Sequence, residues 1–143
     1  LTRGEVFELD GSMIFTMGGA TSVDKEYRIP YSSWWPQELP DERNFEETRA
    51  KLDSAGWKVD YVVTHEAPAD LAGDLCWECN RPFEDDPLQN FLGEIDRRLD
   101  FKTWFFGHYH GDEWRDARHR LIYRDIVSVE DAAPASRNLL EAL

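Results

Sequence analysis

His65, His108 and His110 are the side chains of this sequence best placed to do chemistry. Neutral imidazole is a common ligand for zinc, manganese, iron and nickel. These are three of the four histidines in the chain. His65 follows the short apolar run Tyr61-Val62-Val63-Thr64, and His108 and His110 follow Trp104-Phe105-Phe106-Gly107. Histidines at i and i+2 can face one centre if the backbone stays extended, and Gly107 leaves it free to bend. Glu66 and Asp112 flank them as carboxylates able to take the second ring N–H of a ligating histidine. His119 lies apart in the basic stretch Arg115 to Arg120 and reads as a surface residue.

Other residues carry weaker chemistry. Cys76 and Cys79 have the spacing of a zinc or redox pair. A zinc site wants four ligands and no second cysteine pair exists. A redox role would set the pair at the start of a helix after a strand. The pair therefore reads as structural, with a small zinc site made from Cys76, Cys79 and a histidine as the competing idea. Asp24 and Arg28 read as an ion pair that orients their loop, or Arg28 as a contact for a substrate phosphate. Trp34-Trp35, in a proline-bounded segment, reads as loop-to-core packing, and Glu84-Asp85-Asp86 as the cap of the helix that follows.

The elements that must position these residues follow from patterning. Glu5 to Leu9 and Met13 to Met17, joined by Asp10-Gly11, read as a β-hairpin ending at Gly18-Gly19. Residues 20 to 40 read as irregular. A helix is expected from Asp41 to Ala55, with Phe45, Leu52 and Ala55 on one face and Gly56 at its C-terminal cap. Val59 to Thr64 reads as a strand, and residues 66 to 86 as loop with at most one helical turn near Asp70. Asp86-Pro87 opens a second helix, whose Leu88, Phe91, Leu92, Ile95 and Leu99 form an amphipathic stripe. Thr103 to Phe106 reads as a buried strand, Leu121 to Val129 as a last strand pair, and the tail after Pro134 as a short helix. Strands alternating with helices imply an α/β layered sheet. Strands flanking a crossover helix should be parallel, which gathers their carboxyl ends at one edge. That edge is where open α/β sheets bind ligands.

Composition narrows the function classes. The chain has 143 residues, 41% hydrophobic and 31% charged, with a formal net charge of −13, the profile of one globular domain. No basic stripe is present to neutralise a nucleic-acid backbone or an anionic membrane. No apolar run reaches the roughly 20 residues of a membrane helix. Two cysteines are too few for a disulfide framework, so the expected location is cytoplasmic. Leu1 rather than Met opens the sequence, which leaves an upstream segment open.

Gly107-His108-Tyr109-His110 resembles the closing Gly-His-x-His motif of the calcineurin-like metallophosphoesterase superfamily. Thr64-His65-Glu66-Ala67-Pro68 resembles the histidine motif that precedes it. Arg3-Gly4 through Gly18-Gly19-Ala20 is similar to the hairpin that follows the Asn-His motif in bacterial members. Ser22-Val23-Asp24 to Arg28 and Ser33-Trp34-Trp35-Pro36 look like one bacterial subgroup. The resemblance runs to about residue 112.

It implies a four-layer α-β-β-α sandwich with a dinuclear site. His65 and His108 would bind one divalent metal and His110 the other, the ions being Mn, Zn, Fe or Ni. Two such ions about 3.5–4 Å apart would polarise phosphoryl oxygens and activate a bridging water. The substrate would be a phosphorylated small molecule, a phosphate mono- or diester. The family's Asp-x-His motif, its Gly-Asp-x-x-Asp motif and its Asn-His pair, which supplies a ligand and the proton donor, are missing. The chain is therefore expected to be the C-terminal half of that sandwich, weak in metal binding and catalysis on its own. It is also expected to associate with the missing N-terminal half or with a second copy, and a non-catalytic binding or assembly module is the alternative.

Overall fold

A computed structural model describes residues 3–21, 27–33, 35–78 and 85–129. Asp24, Trp34, Cys79, Glu84 and the tail after Pro134 lie outside the described residues. The elements run β1 (Glu5–Leu9), β2 (Ser12–Met17), α1 (Glu42–Ser54), β3 (Tyr61–Thr64), α2 (Ala69–Glu78), α3 (Pro87–Arg98), β4 (Thr103–Phe106), β5 (Glu113–Trp114) and β6 (His119–Leu121). A 3-10 turn, Pro36–Glu38, precedes α1. The strands form one six-stranded mixed sheet in the order β1-β2-β3-β4-β6-β5. The four inner strands are parallel to one another and the two outer ones antiparallel to their neighbours.

Alternation along each strand divides the sheet into two unlike faces. Phe15, Met17, Val62, Trp104, Phe106 and Leu121 point to one face and are almost fully buried. They share a single core with Phe45 and Leu52 of α1, Leu75 of α2 and Leu88, Phe91, Leu92 and Ile95 of α3. Helices α1, α2 and α3 therefore cover the same side. On the other side Tyr61 and Phe105 form a smaller buried cluster beneath Trp114, Ile122 and Val127. Val63, between them, is 43% exposed.

The helices expected from the pattern form where their caps are. Asp41 accepts the Asn44 N–H while Asn44 Oδ1 accepts the Asp41 N–H, a reciprocal cap that starts α1. Gly56, at φ +65°, follows its C-terminal end. Asp86 accepts the Leu88 and Gln89 N–H groups and starts α3 at Pro87. Gly4, at φ +67°, lies so close to α1 that a Cβ there would fall 1.8 Å from Thr48 Oγ1.

Two expectations fail. Residues 69–78 are not loop but the ten-residue helix α2. Its buried face is only Ala72 and Leu75, too short a stripe to stand out, and it is held by packing on α3 rather than by propensity. The last strand pair is Glu113–Trp114 with His119–Leu121, not Leu121 to Val129. Asp112 ends the sheet early by accepting the backbone N–H groups of Tyr123, Arg124 and Asp125, which are thereby withdrawn from any ladder.

Candidate metal centre

β3 and β4 are parallel neighbours, with Tyr61 opposite Thr103 and Val63 opposite Phe105. The ladder continues one step, because the Gly107 N–H donates to the His65 carbonyl at 3.2 Å. The two loops that carry His65 and His108 thus leave the sheet side by side, as the strand-end argument requires. A second link ties them to the core. Trp104 Nε1–H donates to Thr64 Oγ1 at 2.8 Å, and that hydroxyl donates to the Glu66 carbonyl at 2.6 Å, both fully buried.

His65 Nε2 and His108 Nδ1 face each other at 3.3 Å, with the rings edge-on at 78°. The bend that aims His108 does not fall on Gly107. His108 and His110 themselves adopt left-handed backbone, at φ +69° and +56°. For a residue with a Cβ this costs of order 1–2 kcal/mol. Such conformations gather at functional sites, where the surroundings hold them in place.

Glu66 lies behind the pair and is 1% exposed. Its Oε1 accepts both the Ala67 N–H, at 2.8 Å, and the Tyr109 hydroxyl, at 2.6 Å. Its Oε2 is left facing His108 Nε2 at 3.8 Å. Burial, and then the adjacent Glu66 carboxylate, push the Tyr109 hydroxyl far above the ordinary phenol range, so it remains a donor. Tyr109 and Thr64 escape sequence reasoning because their roles rest on contacts between distant segments. The only local sign is that each adjoins a histidine.

These nitrogens fit a metal. Two imidazoles bound at about 2.0–2.1 Å in a tetrahedral arrangement place their ligating nitrogens about 3.3–3.4 Å apart. The observed 3.3 Å is that separation. His110 does not join them: its ring stacks on Tyr123 at a centroid distance of 4.5 Å. Among the described residues no group of three or more His, Cys, Asp or Glu side chains is arranged to hold a metal. The described residues therefore bring two imidazole nitrogens together, not a complete set of metal ligands.

The remaining candidates are placed as follows. Asp112 does not support a histidine. The N–H groups of Tyr123, Asp125 and Arg124 hold its carboxyl below the usual carboxylate range, and it caps their loop. Arg28 is exposed and donates to the Ser33 carbonyl at 3.1 Å, while its expected partner Asp24 lies outside the described residues. Cys76 is on α2, and Cys79 is again outside them. His119 is not a surface residue but 3% exposed. Asp116 meets its Nδ1 at 2.7 Å and Asp96 its Nε2 at 3.2 Å, while Phe101 and Trp104 pack on its ring. Its basic neighbourhood in sequence conceals the two acids that bury it.

Beside His65, on the open face of the sheet, lies a depression of about 550 Å³ whose lining includes Arg3, Thr16, Val63, Phe105 and Ile122. Thr16 Oγ1 is buried there without a hydrogen-bond partner among the described residues. No family model matches the chain, and comparison with curated proteins and with solved structures returns no relative. Among the described residues no helix is long and apolar enough to cross a membrane.

Proposed function

We propose that this chain carries the histidine half of a metal-dependent phosphoesterase centre of the calcineurin-like kind. The observation behind this reading is the pair of facing nitrogens, His65 Nε2 and His108 Nδ1, 3.3 Å apart at the ends of adjacent parallel strands. His65 and His108 would hold one divalent ion, and His110, by the resemblance of its motif, a second. Bound there, such ions would supply Lewis acidity toward the phosphoryl oxygens and an acidified water as nucleophile. The chain's own contribution is to hold the two rings by core contacts, through Trp104, Thr64 and Glu66.

The motifs that supply the acidic ligands and the proton donor of that chemistry do not occur in these 143 residues. Imidazole carries no negative charge to offset a dication, so this polypeptide alone should bind metal weakly. The reading extends to a four-layer sandwich in which a second sheet covers the open face. The exposure of Val63 supports a polypeptide partner there, either the segment bearing the acidic motifs or a second copy. The same exposed face favours the second reading, a non-catalytic assembly module that keeps the half-fold.

Elemental analysis after equilibration with manganese and with zinc tests the proposal, run beside hydrolysis of chromogenic phosphate mono- and diesters. Metal taken up weakly by the parent chain and lost in His108→Ala is the expected result. Retention unchanged in His108→Ala but abolished in a Cys76→Ala variant would overturn it in favour of a cysteine site. No metal on either chain, even with the acidic segment supplied, would leave the assembly reading.

A further inference from the structure

We infer that Glu66 is a positioning residue that fixes His108 with its ring proton on Nε2, leaving Nδ1 as the atom that binds. The purpose of that arrangement rests on the metal reading above, but the tautomer itself follows from contacts within the chain. Each Glu66 oxygen has a separate task. Oε1 is committed to two donors, the Ala67 N–H and the Tyr109 hydroxyl. Oε2 is left with His108 Nε2 at 3.8 Å. That is longer than a hydrogen bond, yet with Glu66 1% exposed and the His108 side chain 17% exposed a carboxylate oxygen at this range favours an N–H facing it over a lone pair. Metal-ligating histidines are tuned in this way by a carboxylate on the far ring nitrogen.

A consequence follows for His65. With the His108 proton on Nε2, its Nδ1 can only accept, so the 3.3 Å contact between the rings requires His65 to donate from Nε2. A bound cation would take the place of that shared proton, and His65 would carry its proton on Nδ1 instead. The rearrangement falls on His65 and spares His108.

Glu66→Gln tests the inference because the geometry predicts how the amide must orient. Both donors at the Oε1 position demand an acceptor, so the carboxamide oxygen stays there and its NH2 group takes the place of Oε2. An NH2 facing His108 Nε2 favours a lone pair on that atom. The substitution should therefore invert the His108 tautomer and put a proton on the ligating nitrogen. The probe is long-range proton–nitrogen NMR of the full chain, metal-free and in alkaline buffer, with zinc affinity measured separately by competition with a chromophoric chelator.

In the parent chain His108 should show a protonated Nε2 and an unprotonated Nδ1. Glu66→Gln should move the majority of the proton to Nδ1 and weaken zinc binding by about 10–100-fold. Tyr109→Phe, which leaves the carboxylate charge in place, should keep the proton on Nε2 even if stability falls. The inference is overturned by a proton on Nδ1 in the parent chain or by one that stays on Nε2 in Glu66→Gln. It is equally overturned by a shift to Nδ1 in Tyr109→Phe, which would also decide the matter if Glu66→Gln does not fold. Absence of phosphoester hydrolysis with metal bound and the acidic segment supplied would count against the proposed function and leave the tautomer result standing.

Discussion

His119→Gln removes an imidazole held between two carboxylates, and the structure sets both the size and the pH dependence of the effect. His119 is 3% exposed. Its Nδ1 meets Asp116 at 2.7 Å and its Nε2 meets Asp96 at 3.2 Å, joining α3 to the β5–β6 turn. Arg118 is the other cation nearby, 3.5 Å from Asp96. Burial alone would lower the histidine pKa, but the Asp96 contact, and after it Asp116, raises it above the usual value. A raised folded-state pKa stabilises the fold fully below the unfolded value of about 6.5. That contribution disappears as pH rises through the folded-state value. Hydrogen bonds to charged groups contribute about 1.5–3 kcal/mol each, and the Asp116 side chain is 48% exposed, so solvent screening reduces its share. The pair together should be worth about 2–3 kcal/mol, a sizeable part of a typical domain stability of about 5–15 kcal/mol. Urea unfolding of parent and variant should show that difference at about pH 5.5 and a much smaller one at about pH 9. A gap that is constant with pH, or that widens toward alkaline conditions, would refute a charged imidazole at this position.

Other perturbations should be equally readable. Thr64→Val breaks the Trp104–Thr64–Glu66 link and orphans a buried indole N–H. A loss of about 1–3 kcal/mol in urea unfolding is expected, together with altered His65 and His108 resonances. Gly4→Ala forces a Cβ against Thr48 at positive φ and should cost at least about 1–3 kcal/mol, visible as a lowered Tm. Asp112→Ala releases the Tyr123, Arg124 and Asp125 N–H groups, and tryptic cleavage after Arg124 should accelerate. Since the Asp112 pKa is depressed, the parent loop should hold above the ordinary carboxylate range and open as pH falls through the folded-state value.

Whatever local pattern enforces is legible in the sequence. Leu88, Phe91, Leu92 and Ile95 mark the buried face of α3 by their spacing alone, and Asp86-Pro87 marks its start. The strands ending at Thr64 and Phe106 are equally plain, being short apolar runs stopped by polar residues. β6 is hidden because two of its three residues, His119 and Arg120, are basic. They enter the sheet only because Asp96, Asp116 and Asp125 meet them. At the site, strand order puts His65 beside His108, a fact of topology that apolar runs can announce. That His110 turns to Tyr123 instead depends on the left-handed bends at His108 and His110, which no spacing rule carries.

The buried Trp104–Thr64–Glu66–Tyr109 strut also has an entropic consequence. Restricting a long side chain such as Glu costs up to about 1.5–2 kcal/mol in rotamer freedom. Here that restriction is imposed by folding, since Glu66 is held through both its carbonyl and its Oε1. A ligand arriving between His65 and His108 finds their support already immobile. Its affinity is then spared the cost of ordering that support, and enthalpy released at the two nitrogens can appear as binding.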